Sequence, residues 1–171
     1  MSTSPPDNHA LSGNEMMKDY LAGIVSDMEV CSRSALEGIF GFPTFAPKEF
    51  SLSTQSDPPG PLNCMIESRN LEFTVHLYVS AEREDINHLL FLDPADIAGQ
   101  MDAIGEIANT VAGSFFGRRA FSDRFGRMLP LPPQSLISLE TSTRSWYIKG
   151  ALISNSANLI FGFTARPNQG V

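Results

Sequence analysis

Asp102-Ala-Ile-Gly-Glu106-Ile-Ala-Asn109-Thr-Val-Ala-Gly113 decides the fold and narrows the function. Wound as an α-helix at about 100° per residue, the stretch divides into two faces. Asp102, Glu106, Asn109 and Gly113 follow one another at +4, +3 and +4, so they form one stripe within roughly 60°. Ile97, Ile104, Val111 and Phe115 cluster on the opposite side, flanked by Met101, Ile107 and Ala108, and form the expected core face. The acid and the amide therefore point away from the core, one turn apart. Gly99, Gly105 and Gly113 all fall on the acid-amide half. Each glycine costs about 1 kcal/mol relative to alanine inside a helix. Either a neighbouring segment packs on them, or another molecule's backbone approaches Glu106 and Asn109.

Working outward, Asp93 is the expected N-cap of this helix and Pro94 its first residue, with the helix running to about Arg119. Before it, Glu82 to Phe91 read as a short helix. After it comes an irregular basic turn with Arg118, Arg119, Arg124 and Arg127. Solvation and the helix C-terminal dipole account for these arginines. Arg124 and Arg127 are also the residues available to an acidic partner. The stretch Met128-Leu-Pro-Leu-Pro-Pro133 then reads as a proline-rich strand.

The flanks supply a sheet. Cys64–Ser68 and Leu71–Val79 are β-rich runs joined at Arg69-Asn70, a hairpin pattern. Leu71, Phe73, Val75, Leu77 and Val79 face one way, and Glu72, Thr74, His76, Tyr78 and Ser80 the other. One face is thus expected to be covered and the other partly wet. Residues 48–54 alternate as a strand, and Asp57–Pro61 form a stiff loop. Ser145–Ile153 and Leu159–Ala165 form a second hairpin around Ser154–Asn158. Near the N-terminus one helix is expected from Asn14, its N-cap, to Ile39. Tyr20, Ile24, Met28, Cys31 and Ala35 form its stripe, and Gly38, Gly41 and Pro43 stop it. The order of elements is an α+β pattern: an antiparallel sheet with long helices packed on one face.

Composition sets limits. The 171 residues suit one core, with residues 1–13 as a flexible tail and 14–171 as a single domain. The net charge of −7 and the lack of a Lys/Arg cluster speak against nucleic-acid binding. No apolar run has the length of a membrane span. The first residues are neither basic nor apolar, unlike a secretory leader, so a cytoplasmic protein with Cys31 and Cys64 reduced is expected. His9, His76 and His88 lie far apart with no companions at metal-ligand spacing, and His76 reads as a surface side chain. No phosphate-binding loop, dinucleotide fingerprint or nucleophile elbow is present.

A Glu-x-x-Asn pair alone reads as solvated surface, but its context carries a resemblance. Gly105-Glu106-Ile107-Ala108-Asn109-Thr110-Val111-Ala112-Gly113 resembles the signature helix of the CheC/CheX/FliY family of bacterial phosphatases. The family pattern is Asp, three residues, Glu, two residues, Asn, twenty-two residues, Pro. Asp102, Glu106, Asn109 and Pro132 meet it without adjustment. In element order the resemblance extends from about Lys18 to Thr164.

The resemblance implies the CheC/CheX-like fold and hydrolysis of the aspartyl phosphate of a CheY-type response regulator. That partner carries the phosphoryl group, Mg²⁺ and a lysine; the chain itself is expected to bind no metal or cofactor. Asn109 would orient the attacking water and Glu106 would pair with the partner's lysine, the two catalytic residues. Asp102, Gly105, Gly113 and Pro132 would meet the partner, although Pro132 also suits shaping the strand beside the helix. Some family members carry the pair on two helices. Here the first helix has Asp27-Met-Glu29-Val-Cys-Ser32 instead, so a single site is expected, as in the CheX branch, whose homodimer is joined through its sheet. Two other classes stay open: a non-catalytic docking module of the same fold that binds a response regulator or flagellar switch component, and a small-molecule-binding domain whose glycines line a pocket.

Overall fold

The computed structural model describes residues 8–41, 45–55, 60–134, 145–155 and 157–168. The elements run α1 (Asn8–Ala22), α2 (Val25–Phe40), β1 (Ala46–Ser53), β2 (Leu62–Arg69), β3 (Phe73–Ala81), α3 (Arg83–Leu90), α4 (Ile97–Phe116), α5 (Arg119–Phe125), β4 (Tyr147–Ile153) and β5 (Asn158–Pro167). The strands form one antiparallel sheet in the order β1-β4-β5-β3-β2. Helices α2 and α4 pack against each other and onto the sheet. This is the expected α+β architecture.

Register explains the core. Val75 pairs with Ala165, Leu77 with Phe163, and Val79 with Phe161. Ile148 and Leu152 of β4 and Ile66 of β2 join the same face, all fully buried. Onto it α4 lays Ile104, Ile107, Ala108, Val111 and Phe115. The Phe115 ring meets those of Phe163 and Phe121 edge-on at 5.2 and 5.3 Å. Phe121 and Phe125, four apart on α5, continue the aromatic cluster to Phe73 and Tyr20.

Several boundaries differ from the sequence reading. The first helical pattern is two helices, and α1 already begins at Asn8, so Asn14 is interior rather than a cap. The chain breaks at Gly23, where the Arg124 side chain fills the space a Cβ would occupy. Most of the stripe survives the break: Ile24, Met28, Cys31 and Ala35 are buried, whereas Tyr20 is half-buried against Phe73 and Phe125 and its neighbour Leu21 takes the buried position. Gly38 stays inside α2; Gly41, at φ 71°, ends it by donating its N–H to Glu37 O at 2.8 Å. Pro43 and most of the Asp57–Pro61 loop lie outside the described residues.

The second sheet face is more covered than expected: Thr74, Tyr78 and Ser80 are buried. The Tyr78 ring lies across Gly162, its register partner, which has no side chain to block it. His76 is not a free surface side chain. Its Nε2 is 3.2 Å from Glu67 Oε2, and it is largely buried. Leu71, expected on the core face, is 86% exposed because it lies in the turn. There Asn70 Oδ1 accepts from the N–H groups of Glu72 and Phe73, and its amide donates to Phe125 O at 2.7 Å. The hairpin is therefore tied to α5. Cys31 and Cys64 are buried free thiols, and burial raises the Cys64 pKa. Among the described residues, no helix is long and apolar enough to cross a membrane.

The expected basic turn is the helix α5. Its apolar spacing, Phe121 to Phe125, was hidden among the arginines. Arg118 pairs with Asp27 at 3.7 Å, Arg119 with Asp123 at 3.5 Å, and Arg124 donates to Ala120 O. The expected proline-rich strand is an extended strap rather than a full strand. Leu131 N–H bonds to Glu67 O, and Gln134 exchanges two backbone bonds with Met65, so the strap covers part of the outer edge of β2. Three prolines leave too few N–H donors for a complete ladder. The other sheet edge, β1, carries Pro47, exposed Lys48 and a bulge at Glu49–Phe50, features that discourage indiscriminate pairing.

Candidate functional site

Helix α4 is anchored at its start by polar contacts, one of them buried. Asp96 is its N-cap, accepting from Gly99 N–H at 2.9 Å; Asp93 instead caps the preceding turn through Ala95 N–H. Pro94 therefore precedes the helix, and the helix ends at Phe116, three residues before Arg119. Gln100 is fully buried and donates to Asn87 Oδ1 and Pro94 O, locking α3 to α4. Ile97 lies on the core side of the wheel but at the helix end, past the sheet's cover, and is 52% exposed.

The acid-amide stripe faces outward. Asp102, Glu106 and Gly113 are exposed, and Asn109 is half-buried at the stripe's margin. Glu106 and Asn109 are three residues apart, which places their Cβ atoms about 5–6 Å from each other. Among the described residues, neither side chain has a hydrogen-bond or ion-pair partner. The Thr110 hydroxyl donates to Glu106 O at 2.8 Å, a backbone contact that leaves the carboxylate free. Ile104, Val111 and Phe115 are buried as expected. The rest of the exposed face is small and uncharged: Ala98, Thr110 and Ser114.

The three glycines have three different surroundings. At Gly99 a Cβ would run into the Asp96 cap. Gly105 is buried, and the Pro133 ring lies where its Cβ would touch at 3.7–3.8 Å. It therefore accommodates the chain's own strap, the first of the two readings that its position on the helix allowed. Only Gly113 looks into open space. Pro132 is exposed on the strap, next to the proline that touches Gly105. Asp102, Glu106 and Asn109 thus share one helix stripe, and Pro132 lies on the strap next to the proline that meets Gly105 of the same helix. The Pro133–Gly105 contact went unread in the sequence. A glycine at the boundary between the buried and exposed halves of the wheel was its only signal.

Chemically, the arrangement offers one acceptor carboxylate and one amide that both donates and accepts. No three His, Cys, Asp or Glu side chains among the described residues are grouped to hold a metal ion. A shallow depression between Lys48, Lys149 and Asn158 lies at the β1 end of the sheet, far from β2 and α4, and contains no motif residue. An open helix face suits a macromolecular partner better than an enclosed small ligand.

No family model matches the chain, and no curated protein matches it. Solved structures do. A CheC-like superfamily protein from Shewanella sp. PV-4 aligns over 84% of this chain and 97% of its own, at TM-score 0.67 and 15% identity. The CheX–CheY–BeF3–Mg²⁺ complex from Borrelia burgdorferi aligns over 83% and 97%, at TM-score 0.62 and 11% identity. The FliM middle domain from H. pylori aligns over 88% and 91%, at TM-score 0.58 and 13% identity. With the helix order, the sheet and near-complete coverage in agreement, this chain has the fold of the CheC-like and CheX chemotaxis proteins.

Proposed function

We propose that this chain is a cytoplasmic phosphatase that accelerates hydrolysis of the aspartyl phosphate of a CheY-type response regulator. The observation that carries the reading is the Glu106–Asn109 pair: adjacent, exposed or half-exposed, and without a partner among the described residues. An acyl phosphate is already activated, so the slow element is a water held in line with the P–O bond. The Asn109 amide accepts from and donates to that water. The Glu106 carboxylate takes a charge-assisted bond from the partner's lysine and fixes the helix in the partner's site. The Mg²⁺ that neutralises the phosphoryl oxygens belongs to the partner. Positioning alone accounts for the acceleration, because a loose phosphoryl-transfer transition state asks for little base catalysis.

The fold alone does not decide between turnover and docking. The FliM middle domain shares it, which keeps a non-catalytic module binding a regulator or switch component as the second reading. The deciding experiment is the decay of phosphoryl label on a CheY-type regulator with and without this protein. Acceleration supports the phosphatase; stoichiometric binding without acceleration supports the docking module. A homodimer through the sheet belongs to the same proposal. The strap takes up part of the β2 edge, so such a dimer would form along β1, on the straight Ser51–Ser53 half beyond the bulge. A monomer by light scattering at roughly tens of micromolar would remove the dimer.

A further inference from the structure

We infer that the strap is the second wall of the docking face, with Leu129 as its apolar anchor and Arg127 as its charged flank. The inference rests on the function proposed above, and the occupant is the phosphorylated receiver domain. Gly126, at φ 74° and ψ −177°, turns the chain out of α5 beside Asn70 of the turn between β2 and β3. The strap then runs back along α4. Ser68 Oγ donates to Leu129 O at 2.6 Å, Leu131 N–H to Glu67 O at 2.9 Å, and Pro133 reaches Gly105. Leu129 therefore stands at the level of Ser68 on the edge of β2, four residues before the proline that meets Gly105 of α4.

Met128 is buried and pins the strap, whereas Leu129 is 83% exposed, and Pro130, Pro132 and Pro133 are exposed with it. A single exposed leucine is ordinary. This one is held by hydrogen bonds and prolines on the strap that reaches Gly105 of the signature helix, so little ordering entropy is lost when it is covered. Charge identifies the occupant. Between Arg83 and Arg118 the chain has six acids, two of them Asp102 and Glu106, and no lysine or arginine. Arg118, Arg119 and Arg124 are engaged within the chain, while Arg127 has no partner among the described residues. The face is thus acidic at mid-helix and basic where the strap begins. A domain that holds Mg²⁺ beside an acyl phosphate must carry carboxylate ligands as well as its lysine, and so presents both complementary signs.

The test is steady-state dephosphorylation of a phosphorylated CheY-type receiver domain. Leu129→Ala is expected to raise KM about tenfold with kcat within about twofold, and Leu129→Met to restore KM, because apolar contact rather than chemistry is lost. Arg127→Glu is expected to slow association at low salt and to lose that effect at high salt. If Leu129→Asp keeps the wild-type KM while Asn109→Ala is inactive, the strap inference is overturned and the phosphatase stands. If the wild-type protein leaves phosphoryl decay unchanged, the phosphatase reading fails, and titration of the Leu129 variants against the same receiver domain decides the docking surface by itself. Undiminished binding of Leu129→Asp then overturns it.

Discussion

Helices α2 and α4 lie side by side on one sheet, and their outer faces differ in how their charged groups are partnered. On α2 the charges are mostly settled within the chain: Asp27 with Arg118 at 3.7 Å, Arg33 with Glu37 at 3.9 Å. On α4, Asp102 and Glu106 have no such partners among the described residues. The inner faces are alike, both close-packed and apolar. A surface helix that keeps its carboxylate and amide unpaired, with small residues around them, leaves those groups available to another molecule. Exposed pairs like those on α2 are worth about 0–1 kcal/mol each, so Asp27→Asn is a control expected to change neither stability nor activity much.

The largest effect belongs to the shared core. Phe115→Ala removes a ring that meets Phe121 and Phe163, and is expected to cost about 3–5 kcal/mol. Chemical denaturation measures it; a loss under about 1 kcal/mol would mean α4 is not the pillar described here. Next comes Asn109→Ala, expected to lower turnover by about 10²-fold or more with little change in partner affinity, because the lost contact acts in the transition state. The melting temperature should stay put, since the amide bonds to nothing among the described residues. Full activity in a folded Asn109→Ala variant would place α4 with α2 as scaffold.

Glu106→Gln sharpens the contrast at one atom. It keeps size and helix propensity but removes the charge proposed to pair with the partner's lysine. The loss of a charge-assisted bond, about 1.5–3 kcal/mol, predicts roughly 10- to 100-fold weaker binding of the phosphorylated regulator. Isothermal titration reads it, and the weakening should shrink as salt rises. An unchanged Kd would remove the docking role from Glu106.

What was legible followed from periodicity. The α4 stripe, the β2–β3 and β4–β5 hairpins and the short α3 all obey a clean 3.6 or 2.0 repeat, so burial follows directly. The misreadings sit where a distant residue overrides a local signal. The first helix breaks at Gly23, where Arg124, a hundred residues on, fills the space a Cβ would occupy. Asp93 and Asp96 are both good caps three residues apart, and the Gln100–Asn87 contact favours the later one. α5 was obscured by its arginines, and the strap by prolines that suggest a strand but cannot complete a ladder. At the site, the outward direction of Glu106 and Asn109 was readable from spacing. The partner of Gly105 was not, because Pro133 reaches it through a tertiary contact rather than a local pattern.

Gly113 offers the finest test, because stability and function pull in opposite directions there. A Cβ on Gly113 would meet nothing within 4 Å, so the chain itself has no steric need for a glycine. Alanine in a helix interior is favoured over glycine by about 0.5–1 kcal/mol, so Gly113→Ala should raise stability by that amount. If the exposed stripe is a contact face, the added methyl holds the partner's backbone away and weakens docking even as the protein melts higher. Gly99→Ala should do the reverse: its Cβ would collide with the Asp96 cap and lower stability. Thermal melts and receiver titrations on both variants separate the cases. A Gly113→Ala variant that is more stable and binds as well as wild type would show that the partner does not approach this part of α4, and the docking face would end at Asn109.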